Sequence, residues 1–165
     1  GSGRSRSPGP AAPGRGWLAH VDDVPRIVGS SREVAADAST LFELVADPAE
    51  QPRWDGNDNL ASAAPGQRVR AVGDVFRTTL TNGGERENHV VEFDEGRRIA
   101  WRHFGGHVWR WLLEPVDEGR TRVTEQFDPT HSRAPLVLRL ISAERRNRSS
   151  IEASLDRLER WARER

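Results

Sequence analysis

Four residue types are missing from this chain of 165 residues: cysteine, lysine, tyrosine and methionine. Without cysteine the chain has no disulfide, no thiolate metal site and no thiol nucleophile. Without lysine it forms no Schiff base, and without tyrosine it has no phenolic acid. All 25 basic residues are arginines. Any catalytic group must therefore be a histidine, aspartate, glutamate, serine, threonine or arginine.

Long apolar runs and recognisable cofactor motifs are missing as well. No apolar segment approaches the length of about 18 residues that suggests a membrane span. The chain contains no G-x-G-x-x-G or P-loop glycine pattern and no H-E-x-x-H spacing, and these are the patterns that hold nucleotides and zinc. We therefore expect a cytoplasmic protein with no cofactor, no metal and no membrane partner.

The amino-terminal residues form a segment of different composition. Residues 1–16 consist of Gly, Ser, Arg, Pro and Ala only, and such a segment buries too little apolar surface to offset its ordering entropy. We predict a disordered or extended tail over residues 1–25 and a single domain over residues 26–165. Without the three arginines of residues 1–16, 22 arginines face 25 acids, a net charge of −3. This balance argues against nucleic acid as the main partner.

Hydrophobic periodicity predicts an α+β domain. A short strand lies within residues 26–36, and Asp37 or Ser39 caps a helix that ends near Asp47. A second short helix begins at Pro48 and ends near Trp54. After a loop with a weak strand near Leu60, a period of two indicates strands over residues 75–81, 87–94, 97–104, 108–116 and 121–128. One long helix follows, over about residues 136–163.

The alternation assigns an inward face to each strand of this meander. On the long helix, the residues spaced by three and four are apolar at both ends but charged at Glu144 and Arg148. Such an interrupted stripe is typical of a helix that lines a wet pocket. The inward residues of the strands are Phe76, Thr78, Leu80, His89, Val91, Phe93, Ile99, Trp101, His103, Trp109, Trp111, Leu113, Val123, Glu125 and Phe127.

The order and spacing of several short motifs resemble a known family. The sequence resembles the SRPBCC (START-like, helix-grip) superfamily, and within it the polyketide cyclase/dehydrase-like group. The resemblance implies a curved antiparallel β-sheet wrapped around a long carboxy-terminal helix, with two short helices after the first strand. It assigns no chemistry by itself, because the superfamily includes cyclases, dehydratases, hydrolases, carriers and chaperone cofactors. The motifs are SREVAADASTLFELVADP (31–48), PRWD (52–55), VGDVF (72–76), FDEGRRIAWR (93–102), WRWLLEP (109–115), GRTRVTE (119–125) and SLDRL (154–158).

Glu125 is the most informative acid, because its period-two neighbours are apolar. A buried carboxylate is costly unless it is paired or protonated. Three interpretations are open. Glu125 pairs with Arg145 or Arg148, which holds the helix to the sheet, or with an inward histidine; it serves a ligand or a proton transfer; or a register slip leaves it exposed. His89 and His103 are inward histidines, each a general base or a core residue.

The aromatic residues of the inward face allow two interpretations, a plain hydrophobic core or the wall of a ligand cavity. Trp54 either packs at its helix end or, as the resemblance implies, guards the cavity mouth. The loop residues Asp55, Asn57 and Asp58 form a lid or simply a turn. The predicted ligand-binding residues are Trp54, Phe76, Thr78, Leu80, Val91, Phe93, Trp101, His103, Trp109, Trp111, Phe127, Ile141, Glu144 and Arg148.

The resemblance and the aromatic face together favour a protein that binds a hydrophobic small molecule in an internal cavity. Cyclisation or dehydration of a polyketide needs a shaped pocket and one proton shuttle, for which the candidates are Glu125 and His89, with an arginine steadying an enolate. The alternatives are a non-catalytic lipid or small-molecule carrier or sensor, and an interaction module like the chaperone cofactors. We expect a monomer or homodimer.

Overall fold

A computed structural model describes residues 27–103, 105–131 and 137–165, and for residues 137–143 it describes the backbone alone. The predicted tail, residues 1–25, lies outside the described residues. A single 3-10 turn, Pro48–Glu50, precedes the second helix. The elements are β1 (Val28–Val34), α1 (Ala38–Ala46), α2 (Gln51–Trp54), β2 (Leu60–Ser62), β3 (Val75–Leu80), β4 (Glu85–Asp94), β5 (Arg98–Arg102), β6 (Val108–Asp117), β7 (Arg120–Asp128) and α3 (Val137–Arg163).

The strands form one seven-stranded antiparallel sheet in the order β1-β7-β6-β5-β4-β3-β2. Successive strands from β3 to β7 are hairpin neighbours, as their short glycine-containing turns predict. Gly96 and Gly119 take left-handed φ values of 79° and 77° in two of these turns, a conformation that glycine adopts at no steric cost. Register shifts interrupt three strand pairs, and such irregularities bend a sheet. The predicted α+β helix-grip fold is confirmed.

The two short helices are fixed by burial rather than by capping. Asp37 occupies the N-cap of α1, but its side chain makes no capping hydrogen bond. The apolar stripe predicted for α1 is buried, with Leu41 and Phe42 essentially inaccessible to solvent. Trp54 at the end of α2 donates from Nε1 to the carbonyl of Leu44 at 2.8 Å. This hydrogen bond locks α2 against α1.

Strand β4 corrects the predicted position of His89. The sequence predicts that His89 and Val91 face inward with Phe93, but the inward residues at this point are Asn88 and Val90, each 2% exposed. His89 is exposed, and its Nε2 lies 2.8 Å from the Glu87 carboxylate. A register shift between Val90 and Glu92 separates the two halves of the strand. The predicted alternation of inward and outward residues is therefore correct at Phe93, after the register shift, but reversed before it, at His89.

Helix α3 corrects the predicted roles of Glu144 and Arg148. The carboxy-terminal part of the stripe is buried as predicted, at Ile151, Leu155 and Leu158. Glu144 and Arg148 are instead exposed, with their charged groups 3.7 Å apart in an i,i+4 ion pair. Spacing along a helix fixes which residues share a face, but burial depends on what covers each turn of that face. The predicted cavity residue Ile141 lies outside the described side chains.

No helix in the described part of the chain is both long and apolar enough to cross a membrane.

Candidate functional site

A small polar cavity lies between the inner face of the sheet and the segment that follows α2. Its volume is about 30 Å³, which is enough for a water molecule. Six of the residues that line it were predicted from the sequence: Trp54, Thr78, Trp101, His103, Trp109 and Glu125. Six more lining residues were not predicted as site residues: Gln51, Asp55, Asn57, Leu60, Arg86 and Asn88.

Glu125 reaches the cavity from β7, where its strand neighbour on β6 is Trp111. The residue is 3% exposed, and its Oε2 has no hydrogen-bond partner. Burial raises the pKa of Glu125 well above its usual range, the nearby Asp55 raises it further, and a hydrogen bond with Ser154 of α3 opposes the change. This carboxyl therefore keeps its proton at pH values where an exposed glutamate is ionised.

The predicted ion pair between Glu125 and a helix arginine is wrong. Arg148 pairs with Glu144 on the surface, and Arg145 is exposed. The helix instead presents the hydroxyl of Ser154, which also accepts a hydrogen bond from the backbone N–H of Gly56 at 2.8 Å. A single serine thus links the loop after α2 to the buried acid.

Asp55 brings a second carboxyl into the cavity at the end of α2. Its Oδ1 accepts a hydrogen bond from Asn57 at 3.3 Å, while its Oδ2 is buried without a partner. Burial raises the pKa of Asp55, whereas its hydrogen bonds with Asn57 and the positive charges of Arg86 and Arg157 oppose the rise. Arg157 of α3 also donates to the Asp55 carbonyl and pairs with Asp58 at 2.8 Å. The loop that carries Asp55 is therefore anchored on the helix.

Arg86 of β4 brings a positive charge to the cavity opposite Thr78 of β3. Burial lowers the pKa of Arg86, and the negative charge of Asp55 opposes this effect. Two histidine rings, His103 and His107, meet edge to face with centroids 4.7 Å apart. Burial lowers the pKa of His107, and Arg86 lowers it further. A neutral imidazole is thus favoured beside the guanidinium.

Amide and indole groups add further polar atoms. Gln51 Nε2, in the cavity wall, and Trp111 Nε1, in the core beside it, are buried and have no hydrogen-bond partner. Asn88 Nδ2 makes only long hydrogen bonds, 3.3–3.5 Å, to the Arg86 and Phe76 carbonyls and to Thr78 Oγ1. Well-formed N–H···O bonds measure about 2.9–3.0 Å. The donors around this cavity are thus weakly satisfied.

The predicted aromatic wall is divided between cavity and core. Trp54 and Trp111 meet edge to face with centroids 4.9 Å apart, and Phe42 and Phe93 do so at 5.8 Å. Edge-to-face pairs of this kind stabilise a core beyond their buried area. The described residues that were predicted to bind ligand but do not line the cavity are Phe76, Leu80, Val91, Phe93, Trp111 and Phe127 on the sheet and the exposed Glu144 and Arg148 on α3.

Some of the unpredicted residues carried a signal in the sequence. Asp55 ends the PRWD motif that contributes to the family resemblance, and Asn88 shares the period-two phase of Val90. Arg86 shares this phase as well, but an arginine near a hairpin turn is typical of a solvated surface. His107 lies between the predicted strands over residues 97–104 and 108–116, so no strand alternation marked it, and its ring contacts His103 and Phe127.

A larger open groove, of about 630 Å³, is lined by residues of β4, β5 and β6, including Phe93 of β4 and Leu113 of β6. One of its carboxylates, Glu92, pairs with Arg110 at 2.6 Å. Among the described residues, none that lines this groove has a buried polar atom without a partner. We also find no cluster of three or more histidine, aspartate or glutamate side chains placed for a metal in the described part of the chain.

Fold and site together define a helix-grip protein with a polar interior cavity. The sequence matches the family model described as polyketide cyclase / dehydrase and lipid transport over residues 25–163. The chain belongs to this family.

The relatives extend this result without adding an activity. The chain is 35% identical to the uncharacterized protein Rv0088 of Mycobacterium tuberculosis over 111 residues, which cover 66% of this chain and 50% of that protein. It thus spans half the length of the curated relatives that it matches.

Solved structures share the fold at low sequence identity. A START superfamily protein from Mycobacterium smegmatis has a TM-score of 0.57 at 18% identity, covering 84% of this chain and 97% of that one. The hypothetical protein jhp0584 from Helicobacter pylori has a TM-score of 0.63 at 17% identity, covering 96% and 99%.

Proposed function

We propose that this protein binds a hydrophobic small molecule whose polar end is recognised in the interior cavity. The observation that carries the proposal is the convergence of buried polar atoms without partners: Glu125 Oε2, Asp55 Oδ2 and Gln51 Nε2. Each buried polar group without a partner costs about 1–3 kcal/mol. A ligand or water that supplies the missing hydrogen bonds recovers this free energy.

The cavity must widen to accept such a ligand. Pockets for small molecules measure about 300–1,000 Å³, whereas this cavity measures about 30 Å³. The segment that carries Asp55 and Asn57 forms one wall and leads to Leu60 of β2, the edge strand of the sheet. We propose that this segment moves outward, so that the ligand's apolar body lies against Trp101 and Trp109 of the cavity wall.

Proton-transfer catalysis on the bound molecule is a second candidate function. The specific observation is the pair of carboxyls, Glu125 and Asp55, both with raised pKa values from burial. A protonated Glu125 would act as the acid and an ionised Asp55 as the base. This chemistry would suit the enolisation and dehydration steps of a polyketide-type substrate. His89 has no place in this proposal, because it is exposed on the outer face.

The binding proposal can be tested with N-phenyl-1-naphthylamine, a neutral apolar fluorophore. We expect saturable one-to-one binding, and we expect Trp109→Leu to weaken it at least fivefold because Trp109 lines the cavity. Trp161→Leu is the matched control, since Trp161 packs on the core at the far end of α3, and it should change the affinity less than twofold.

The opposite result is equally clear. Non-saturable binding, or equal losses in the two tryptophan variants, would contradict the proposed cavity. Organic extraction of protein purified from its natural host is an independent test, because it would identify any small molecule that the protein retains.

A further inference from the structure

Arg86 differs from the other partly buried arginines whose side chains are described. Arg32 binds three carboxylates of α3, namely Glu152, Asp156 and Glu159. The remaining partly buried arginines are paired in the same way, and each holds at least one carboxylate: Arg68, Arg110 and Arg157. Arg86 makes no side-chain hydrogen bond or ion pair with a described residue, and its only opposing charge is the more distant Asp55.

A guanidinium in this position is costly without a partner. Removing a charge from water requires compensation by pairing or hydrogen bonds. Arg86 lines the cavity, so a molecule bound there reaches it directly. A planar guanidinium presents parallel N–H donors that fit a carboxylate in a two-point contact.

The other groups that face the Arg86 guanidinium include no carboxylate that pairs with it directly, so its charge can still bind one anion. They are Asp55 from the end of α2, Glu125 from β7, and the two histidines that flank the β5–β6 turn, His103 and His107. Glu125 holds its proton, as argued above, and can donate it to an oxygen acceptor. Gln51 Nε2 is a further donor without a partner. Donors therefore come from three elements: β4, β7 and α2.

We propose that the ligand carries a carboxylate and that Arg86 binds it. This inference rests on the proposed function, since it requires that the cavity binds a small molecule. The remainder of the molecule is apolar and contacts the tryptophan wall. The ligand class is thus a hydrophobic carboxylic acid, rather than a neutral lipid or ketone. Asp55 remains outside the contact, held by Asn57 and by the loop anchored through Arg157.

The test compares 2-naphthoate with 2-naphthamide, two probes of nearly equal shape that differ in charge. Binding to the full chain is measured at pH 7 by isothermal titration and by quenching of tryptophan fluorescence. We expect 2-naphthoate to bind at least tenfold more tightly. Arg86→Gln should abolish this preference while leaving the amide's affinity within twofold, and Arg86→Lys should retain part of it.

Arg77→Gln is the matched control, because it removes one positive charge from the neighbouring strand. Arg77 is exposed and pairs with Glu87 at 3.1 Å on the outer face. We expect this variant to keep the full preference for the carboxylate. Equal effects of Arg77→Gln and Arg86→Gln would overturn the inference, since long-range charge would then explain the preference.

The remaining outcomes separate this inference from the proposed function. Equal affinity of wild type for the two naphthalene probes, with N-phenyl-1-naphthylamine still bound, overturns the carboxylate assignment alone. Failure of all three probes overturns both proposals. Should Arg86→Gln fail to fold, as circular dichroism would show, the wild-type ratio and Arg86→Lys still decide the question.

Discussion

The inner face of the sheet has a dry region and a polar region, and the two meet within single strands. Strand β7 passes from Val123 to Glu125, and β5 passes from Ile99 to Trp101, which lines the cavity with His103 just after the strand. The dry region is closed by α1, where Phe42 meets Phe93. The polar region is closed by α2, the following loop and Ser154 of α3.

The two regions treat polar groups in opposite ways. In the dry region, charges remain at the rim and are paired, as Arg68 is with Glu43 and Glu95. In the polar region, Glu125 and Asp55 are buried with oxygen atoms that lack partners. Folding free energy comes from burying apolar surface, so the dry region stabilises a sheet on which the polar region can remain incompletely satisfied.

The largest effect is expected from a cavity in the dry region. Leu113 is 1% exposed, and Leu113→Ala should lower the free energy of unfolding by about 2–5 kcal/mol, the usual cost of a buried leucine. Urea denaturation measures the loss. Leu112→Ala, at the half-buried neighbouring position, should cost clearly less. Similar losses at the two positions would show that the dry region does not provide the main stabilisation.

A smaller effect is expected where the loop of the polar region meets α3. A Cβ added at Gly56 would lie 2.1 Å from the Ser150 carbonyl oxygen and 2.8 Å from the Ser154 nitrogen. Backbone atoms yield little, so Gly56→Ala should lower the free energy of unfolding by about 1–3 kcal/mol. It should also weaken binding of N-phenyl-1-naphthylamine, because the loop carries Asp55.

Gly84→Ala provides the matched control for this loop. An added Cβ there meets only the Asn82 side chain, at 3.0 Å for its nearest atom. We expect a change in stability below about 0.5 kcal/mol, as for most surface substitutions, and unchanged binding. If Gly56→Ala behaved like Gly84→Ala, the loop would not be seated on the helix.

The dry region follows from the sequence more readily than the polar one. Alternation over residues 121–128 places Val123 and Phe127 inside, and with them Glu125, because the period of two is local. The same rule gives the wrong face for His89, since one register shift in β4 reverses the phase. No local pattern marks where a strand becomes irregular.

The composition of the site depends on contacts that local patterns do not encode. Asp55 lies in a loop and Arg86 in a strand near a turn, and both residue types are typical of solvated positions. They meet because α2 and its loop close over the sheet, a long-range contact. Glu144 and Arg148 show the opposite error, because they were predicted to line the cavity but are exposed. Helical spacing predicts that they share a face with buried residues but not whether another element covers them.

The third effect distinguishes the two regions by pH. The pKa of Glu125 is raised in the folded protein, so the native state retains a proton that the unfolded chain releases. Stability from this group is therefore complete below its unfolded pKa and is lost as pH rises towards the folded value. One proton changes the free energy of unfolding by at most about 1.4 kcal/mol per pH unit. Glu125→Gln should remove this dependence.

Urea denaturation at pH 5 and pH 8 measures the difference between the two proteins. We expect Glu125→Gln to gain stability relative to wild type between these values, because glutamine has no proton to release. Glu87→Gln is the control, since Glu87 is exposed on the outer face, and it should show no comparable gain. Parallel pH profiles for wild type and Glu125→Gln would mean that Glu125 is ionised in the folded state. A cation from α3, from β4 or from solvent would then have to compensate it, and the contrast between the dry and polar regions would be one of pairing rather than of protonation.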